Sequence, residues 1–200
     1  MNLSFKHLAL GATLFSVGAY VYDVIVRPAR AAKKARKISD GMGKPMLNVG
    51  AGTDKSSLRA KLLGSQLVGD VNVDISASRG TPHGRNRVSF ADVQKLPFKD
   101  KEFGVAYSSH VLEHVDDPVR ALQELDRVAD KVVAVVPKWW APHTWLYNDH
   151  QWYVSEKGDF VPLWNRTKGQ KTVKASRVRQ ALKAARTQQR RRRRQGGTRK

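Results

Sequence analysis

Five short apolar runs, each closed by turn residues, follow one another between residues 45 and 137. They read PMLNVG, LVGDVNVDIS, RVSFADV, FGVAYSS and KVVAVVP, and each is typical of a buried strand. Segments with a helical pattern lie between several of these runs. Strands that alternate with helices favour a mainly parallel sheet covered on both faces, so the sequence predicts an α/β fold with a doubly wound sheet.

The clearest helical segment, DDPVRALQELDRVAD, spans residues 116–130. Asp116 or Asp117 is the expected N-cap, and Pro118 suits the first turn. The pattern predicts that the helix packs on the sheet through one apolar stripe. The stripe consists of Val119, Leu122, Leu125 and Val128.

The basic residues are concentrated at the two ends of the chain. Residues 1–40 carry a net charge of +5, residues 41–165 are neutral and residues 166–200 carry +15, for a total of +20. There is no cysteine, which excludes disulfides, thiolate zinc sites and cysteine nucleophiles. The predicted parts are a hydrophobic anchor helix with a basic juxtamembrane segment (1–40), a folded domain (41–165) and a basic tail (166–200).

The N-terminal part contains an apolar stretch from Leu8 to Val26 whose single charge is Asp23. Its length is close to the about 20 residues that span a hydrocarbon core. Basic residues follow at positions 27, 30, 33, 34, 36 and 37, and the positive-inside rule keeps such a cluster on the cytoplasmic side. We therefore expect a single-pass membrane protein whose folded domain faces the cytosol. A cleaved signal or presequence and a buried or interfacial helix are the alternatives.

The C-terminal part, residues 166–200, has no acidic residue and contains consecutive arginines from Arg190 to Arg194. Such a segment buries too little apolar surface to offset its ordering entropy, so a disordered tail is expected. The stretch VRQALKAAR is the exception, because its pattern is compatible with a helix on an anionic surface. The expected partners of the tail are anionic lipid or RNA.

The stretch MLNVGAGTD, from Met46 to Asp54, joins the first strand to a glycine-rich turn. In a parallel sheet, ligands bind beyond the carboxyl ends of the strands, which is where Gly50, Ala51 and Gly52 fall. The dinucleotide-binding pattern requires a third glycine at position 55, and the phosphate-binding loop requires Gly-Lys-Ser/Thr; neither pattern is met. An acid at position 54, opening the next helix, would also repel a pyrophosphate.

A second acid points to a different ligand. Asp74 stands at the end of the second strand, twenty-two residues after Gly52, where a carboxylate can accept hydrogen bonds from both ribose hydroxyls. The sequence therefore predicts a ligand that contains a ribose but no phosphate.

Residues 45 to about 155 resemble the class I S-adenosylmethionine-dependent methyltransferases of the small type-11-like group. LNVGAGTD is similar to their glycine-rich first motif, VNVDIS to the second-strand acid and VVAVVP to the fifth strand. FADVQKLPFKDKEFGVAYSSHVLEHVDDP is similar to the run from the third strand through the fourth. The resemblance implies a Rossmann-like fold and S-adenosylmethionine as the cofactor.

The resemblance also implies roles for individual residues. Asp74 would bind the ribose, Asp92 would accept from the adenine amino group, and Val93 would pack nearby. The end of the fourth strand, Ser108 to His110, would line the methyl-transfer side. Asp92 has a structural alternative, since it can equally cap a turn. The implied cofactor-binding set is Asn48, Gly50, Ala51, Gly52, Asp74, Asp92, Val93 and Ser109.

Three features depart from the family pattern. Asn48 replaces the usual acid of the first motif, Asp54 replaces a glycine, and RVADK lacks the Pro-Gly-Gly turn before the fifth strand. A neutral Asn48 would weaken the contact with the cofactor's ammonium group. An Asn48→Asp substitution is therefore predicted to keep the fold and to strengthen cofactor binding.

Methyl transfer requires a nucleophile held in line with the methyl group, and a general base helps only if the acceptor must lose a proton. His110 and His114 are the predicted catalytic residues, and Glu113, His143 and His150 are further candidates for a base. The spacing of the first two histidines and Glu113 is also compatible with a metal site. Because this trio is more simply a family feature, no metal is expected.

Residues 137–154 read PKWWAPHTWLYNDHQWYV and contain four tryptophans. The segment is either a wall of the acceptor site or the filling of a core left open by a shortened sheet. Few residues remain before the basic tail, so fewer than seven strands are expected, with at most a hairpin of HQWYVS and FVPLW to complete the sheet.

The predicted function is S-adenosylmethionine-dependent methyl transfer to an unidentified acceptor near a membrane. The alternative is a non-catalytic module that binds membrane or nucleic acid through its basic tails, and S-adenosylmethionine binding would distinguish the two. A nucleic-acid methyltransferase guided by the arginine tail is a third possibility. The neutral core and the lack of an Asn/Asp-Pro-Pro-Tyr/Phe motif argue against it.

Overall fold

The computed structural model describes residues 5–53, 67–163 and 170–196 of the chain. The expectations for Asp54 and for position 55, at the start of a helix after the glycine turn, fall outside the described residues.

Five parallel strands form the central sheet. They are β1 (Met46–Val49), β2 (Val71–Asp74), β3 (Ser89–Phe90), β4 (Phe103–Ser109) and β5 (Ala129–Val135). Their order is β3-β2-β1-β4-β5, and every neighbouring pair is parallel. The order changes direction between β1 and β4, which is the switch point where open parallel sheets bind ligands. The predicted Rossmann-like parallel sheet is confirmed.

The sheet is covered on both faces, which explains why its central strands are continuous apolar runs. All residues of β1 and β4 are buried. Helix α2 (Arg27–Gly41) contributes Ala35 to a cluster with Met46 on one face. Helix α3 (Pro118–Val128) contributes Leu125 to the larger core on the other face.

Asp117 is the residue that caps α3, of the two acids considered from the sequence. Its carboxylate accepts hydrogen bonds from the backbone N–H groups of Val119 and Arg120, each at 3.0 Å. The helix ends at Val128, and β5 begins at the next residue. The missing Pro-Gly-Gly motif therefore coincides with a direct transition from helix to strand.

A short helix, α4 (Pro142–Leu146), precedes a two-stranded antiparallel sheet of β6 (Trp152–Val154) and β7 (Phe160–Pro162). The predicted hairpin thus forms, but it stands as a separate sheet and does not extend the central one. Trp152 and Phe160 face the hydrophobic core, so the hairpin packs against the domain with one face.

The basic C-terminal segment contains a helix, α5 (Ala175–Gly196), which includes the VRQALKAAR stretch that was compatible with a helix and extends into residues for which disorder was expected. Val178 and Leu182, one turn apart, pack against the core, and Arg186 makes two hydrogen bonds of 2.9 and 2.7 Å to the Asp126 carboxylate of α3. The average composition of the segment does not indicate these contacts. Two apolar residues at helical spacing and one acid on a neighbouring helix are enough to hold the first half of α5 against the domain.

The apolar N-terminal stretch forms helix α1 (Phe5–Tyr20), which continues through a π-helical segment (Val21–Val26) into α2. One helix of the chain, from Ala9 to Gly41, is long and apolar enough to cross a membrane, by length and composition alone. Most of its apolar window is exposed. Its final residues are nevertheless docked on the domain, where Asp23 is fully buried.

The docking of α2 rests on polar contacts as well as on packing. The Arg36 guanidinium lies 2.6 Å from the Asp70 carboxylate, which also accepts from the N–H of Met46 at 2.9 Å. The Tyr107 hydroxyl donates to the carbonyl oxygen of Pro28 at 3.0 Å. Two of the basic residues expected beside a membrane, Arg27 and Arg36, therefore hold the helix to the domain, since Arg27 donates to the carbonyl oxygen of Val136 at 3.1 Å.

Candidate functional site

The glycine turn after β1 is wound tightly against β2. The N–H groups of Gly50 and Ala51 both donate to the carbonyl oxygen of Val73, at 2.9 and 3.1 Å. Gly50 has a φ of +76° and Gly52 a φ of +68°, which favour glycine. A Cβ on Gly50 would collide with the side chain of Val111. The turn is therefore a backbone-lined cradle at the switch point.

Asp74 is held against this turn, as the sequence predicts. Its Oδ2 accepts from the N–H of Gly52 at 2.8 Å, and its Oδ1 accepts from the N–H of Ser76 at 2.8 Å. Oδ1 also accepts from the Ser76 hydroxyl at 2.5 Å, so the second lone pair of Oδ2 is the acceptor that remains for a ligand hydroxyl, and a second ligand hydroxyl would displace that of Ser76. The bond from Gly52 orients the acid at the carboxyl end of β2.

Asp92 and Val93 follow β3. The Asp92 Oδ1 accepts from the N–H of Gln94 at 2.8 Å, and its carbonyl oxygen accepts from the N–H of Lys95 at 2.9 Å. Val93 is buried in the core. Asp92 thus caps a turn, the structural alternative recognised from the sequence, and its contact with adenine stays a prediction, as does that of Val93.

Asn48 belongs to a buried amide network between β1 and β2. Its Nδ2 donates to Asn72 Oδ1 at 3.0 Å, and the same oxygen accepts from the N–H of Gly69 at 3.0 Å. Asn72 Nδ2 in turn donates to the carbonyl oxygens of Gly69 and Arg85, at 3.1 and 2.9 Å. The recurrence of asparagine in LNV and VNV signals this pairing, since the two residues are directly opposite in the register.

The end of β4 forms the other side of the cradle. Ser108 and Ser109 are buried, and neither hydroxyl oxygen has a hydrogen-bond partner among the described residues. His110 follows in the left-handed conformation, with a φ of 55°, and its N–H donates to the carbonyl oxygen of Val135 at 2.9 Å. Unpartnered polar groups and a strained backbone are concentrated at this point, as is common at functional sites.

The His110 side chain lies between two acceptors. Its Nδ1 is 3.2 Å from Glu113 Oε1, and its Nε2 is 3.3 Å from the backbone carbonyl oxygen of Asp23. The π-helical segment therefore covers this histidine. In this conformation both ring nitrogens face protein oxygens, so a role as general base requires that one of them be released.

Asp23 is the centre of a buried polar cluster that the sequence did not suggest. Its Oδ2 accepts from the N–H of Lys138 at 2.9 Å and lies 3.0 Å from His143 Nε2, and its Oδ1 pairs with Arg27. Burial lowers the pKa of His143, helped by the positive potential of His110, so a neutral ring donates its Nε2 proton to the carboxylate. From the sequence, Asp23 was placed near the end of a membrane span.

His114, the second predicted catalytic residue, approaches the same carboxylate oxygen as His110. Its Nδ1 lies 3.2 Å from the carbonyl oxygen of Asp149, and its Nε2 lies 3.9 Å from Glu113 Oε1. His150 is buried beside it, with ring centroids 4.8 Å apart. Burial lowers the pKa of His150, which is therefore neutral near pH 7. The structure therefore brings His110, His114 and His150 near Glu113.

Residues 47–133 match the family described as "Methyltransferase domain". The central part of this chain is a class I methyltransferase domain. The sequence-based assignment is thereby confirmed, together with S-adenosylmethionine as the cofactor of such domains.

Related proteins match parts of the chain. O-methyltransferase resE of Aspergillus sclerotiorum is 33% identical over 103 residues, which cover 46% of this chain and 38% of that protein. The chain thus spans well under half the length of this curated relative. An S-adenosylmethionine-dependent methyltransferase of Thermotoga maritima is similar over 83% of this chain and 79% of its own, with 16% identity and a TM-score of 0.38. Another, from Mesorhizobium loti, covers 70% and 72%, with 16% identity and a TM-score of 0.35.

The aromatic segment beyond β5 contains both buried and exposed tryptophans. Trp152 is buried in the core of the methyltransferase domain, and its Nε1 donates to the carbonyl oxygen of Val115 at 2.8 Å. Trp139, Trp140 and Trp145 are 41%, 37% and 46% exposed. One tryptophan therefore fills the core and these three are exposed, while the role of the segment as a wall of the acceptor site stays a prediction.

Proposed function

We propose that this chain binds S-adenosylmethionine at the carboxyl ends of β1 and β2 and transfers its methyl group to an acceptor at a membrane surface. The observation that carries the first part is the Asp74 carboxylate, aligned by the 2.8 Å bond from the Gly52 N–H at the rim of the glycine turn. Backbone on one side and a carboxylate on the other suit a ribose with no phosphate attached. The cofactor itself supplies an activated methyl group on a sulfonium.

The residues present fit this cofactor. The turn from Gly50 to Gly52 carries no side chain larger than the methyl group of Ala51, so its backbone admits close approach of a ligand. Asp74 would orient the ribose. The unpartnered hydroxyls of Ser108 and Ser109 lie at the end of β4, next to the turn, and would find acceptors or donors in a bound molecule.

If the methyl acceptor is an oxygen atom, as the name of the O-methyltransferase resE states for that protein, the chain must also remove the proton of the acceptor hydroxyl. Predicted catalytic residue His110 lies at the end of β4 and would take this role once its Nε2 is released from the Asp23 carbonyl oxygen. Predicted catalytic residue His114 is held towards Glu113 and Asp149 and would act less directly.

Substitution of Asp74 by alanine is expected to lower the affinity for S-adenosylmethionine by about tenfold to a hundredfold. Two hydrogen bonds to ribose hydroxyls are worth about 1.5 to 3 kcal/mol together. Titration calorimetry of the full-length chain measures the change. Asp130→Ala is the matched control, because Asp130 lies at the opposite end of the sheet, paired with Lys44 at 2.7 Å.

Equal affinities for the wild type and Asp74→Ala would reject the proposed cofactor site. No measurable binding by the wild type would favour the alternative of a non-catalytic module that acts through its basic tails.

The membrane part of the proposal rests on two exposed apolar surfaces. Leu10, Leu14, Val17 and Val21 are exposed at positions that form one stripe along α1 and the start of the π-helical segment. On another side of the helix, the Phe15 ring lies 6.3 Å from that of Trp140, in the exposed aromatic surface. Tryptophan and tyrosine are enriched at membrane–water interfaces, and exposed patches of this kind mark interaction sites.

The charge of α2 also supports attachment to a membrane surface. Four basic residues of α2 are exposed: Arg30, Lys33, Lys34 and Lys37. Each basic residue near an anionic surface contributes about 1 kcal/mol of attraction. The basic face of α5 would add a salt-sensitive contact with lipid or RNA.

The depth of insertion depends on Asp23. While Asp23 is docked, α1 with its 16 residues reaches roughly 24 Å, which is shorter than the about 30 Å hydrocarbon core. We therefore propose shallow insertion of α1 in the docked conformation. A single-pass span with a cytosolic domain, the expectation from the sequence, would require the segment around Asp23 to leave the domain.

Replacing Leu10 and Leu14 together by glutamine is expected to reduce partitioning into phosphatidylcholine vesicles at least tenfold, since burial of a leucine side chain contributes about 1.5 to 3 kcal/mol. Co-sedimentation at high salt isolates this apolar contribution from the basic one. Ile75→Gln is the control, because Ile75 is a similarly exposed apolar residue on β2's loop, outside the patch.

The attachment in cells is expected to resist high salt and alkaline carbonate and to yield to detergent. Release by salt alone would refute apolar insertion. Protection of residues ahead of α1 from added protease, in sealed membranes, would support the single-pass arrangement over shallow insertion.

A further inference from the structure

Glu113 is a fully buried acid whose carboxylate is left without hydrogen bonds. Both Oε1 and Oε2 are buried and have no hydrogen-bond partner among the described residues. His110 Nδ1 is 3.2 Å from Oε1, but outside the geometry of a hydrogen bond. An ionised carboxyl group costs several kcal/mol to bury unless it is paired or binds a metal.

Two histidines surround this carboxylate. Glu113, His114 and His150 each place one potential ligand atom within 4.8 Å of the others. The main chain at the site is also fixed, because the N–H groups of Gln151 and Trp152 donate to the carbonyl oxygen of Glu113 at 2.7 and 3.1 Å. The loop after β4 and the segment before β6 therefore meet at these three side chains.

Hydrogen bonds on the far side of each ring set the tautomers of the histidines. His114 Nδ1 faces the carbonyl oxygen of Asp149 at 3.2 Å and its carboxylate at 3.4 Å, and His150 Nδ1 faces the carbonyl oxygen of Thr144 at 3.0 Å. These acceptors hold the proton on Nδ1 and leave the lone pair on Nε2. A carbonyl or carboxylate behind a histidine is the usual outer-shell partner of a metal ligand.

We propose that Glu113, His114 and His150 form a binding site for a divalent transition metal ion of the zinc class. Two imidazole nitrogens and one carboxylate oxygen are a donor set that suits zinc, and three protein ligands leave a fourth position for water or a ligand oxygen. Ligand atoms around a tetrahedral zinc ion lie roughly 3.3 Å apart, so binding requires the three groups to close in slightly.

This site departs from the sequence-based expectation of no metal. The earlier trio of His110, Glu113 and His114 is replaced by one in which His150 takes the place of His110. The inference is independent of methyl transfer, because zinc binding and S-adenosylmethionine binding are measured separately and either can fail alone.

The test uses the full-length chain, stripped with a chelator and titrated with ZnCl2 in competition with a chromophoric chelator. One equivalent of zinc is expected to bind. Glu113→Gln and His114→Gln are each expected to weaken binding about 100-fold or more, since loss of an outer-shell partner alone costs about 10- to 100-fold. His83→Gln is the matched control, because His83 is exposed and stacks on Phe98, outside this cluster.

A second measurement guards against misfolded variants. Zinc is expected to raise the Tm of the wild type and of His83→Gln but not that of His114→Gln, whose side chain is partly exposed and tolerates replacement. Absence of zinc binding by the wild type would overturn the proposal. Equal zinc affinity in all three variants would also overturn it, because the metal would then bind elsewhere.

Discussion

Replacing Asp23 by alanine is expected to lower the free energy of unfolding by about 3 to 5 kcal/mol. The fully buried carboxylate accepts from the N–H of Lys138 and from His143, and it pairs with Arg27. Removal of one partner of a buried pair is costly because the remaining groups lose their acceptor where water cannot replace it. Arg27 is about one-fifth exposed and regains some hydration, which favours the lower part of this range.

Urea unfolding of the full-length chain measures this effect, and Asp40→Ala is the matched control. Asp40 belongs to the same continuous helix, is mostly exposed and lies 3.8 Å from Arg36, so its loss is expected to change stability by less than about 0.5 kcal/mol. A loss below about 1 kcal/mol for Asp23→Ala would mean that the π-helical segment is not docked on the domain in solution. Deeper membrane insertion of Asp23→Ala would follow from its release.

The second large effect is expected at Asn48, where aspartate should destabilise the fold by about 2 to 4 kcal/mol at neutral pH. Asn48 is buried and donates to Asn72 Oδ1, an oxygen that a carboxylate would repel. Asn72 cannot rotate its amide to help, because its Nδ2 already serves the carbonyl oxygens of Gly69 and Arg85. These contacts lead to the opposite expectation from the sequence-based prediction that Asn48→Asp would keep the fold and strengthen cofactor binding.

Urea unfolding at two pH values makes this prediction specific. Burial raises the pKa of an introduced carboxyl group, so the penalty should be full at pH 7 and should shrink as the pH falls and the acid becomes protonated. A protonated carboxyl group can donate the bond that Asn48 now makes. Asn86→Asp, at an exposed position, should show no comparable loss. Unchanged stability of Asn48→Asp together with tighter cofactor binding would restore the original interpretation.

Much of the fold is local in origin and could be predicted from the sequence. The five apolar runs became five parallel strands, because strands covered on both faces must be continuously apolar. The glycine turn and the acid at the end of β2 could also be predicted, because a tight turn and the end of a strand each have a recognisable local sequence. Asp74 bonds to Gly52 twenty-two residues away, but the regular geometry of parallel strands makes that encounter foreseeable.

Other features of the site depend on contacts between distant residues, which no local sequence pattern predicts. Asp23 contacts His143, which lies 120 residues further along the chain. From the sequence alone, Asp23 is a single charge within an apolar helix, and its partner cannot be foreseen without the position of β5 and of the segment that follows it. The N–H of Gln151 bonds to the Glu113 carbonyl oxygen, which brings His150 beside His114. Spacing along the chain indicated that His110 and His114 lie near Glu113, but it could not indicate His150, which a crossing loop brings to the same carboxylate.

The five strands, the parallel sheet and the place of the ligand cradle could be predicted, because they follow from apolar periodicity, glycine conformation and the direction of strands. The pairing of polar groups could be read only from the folded chain: Asn48 with Asn72, Arg186 with Asp126, and Asp23 with the residues around it. A buried polar group must find its partner wherever packing brings one. Which partner it finds depends on how whole helices and strands are arranged in space, and the order of residues along the chain indicates this only weakly.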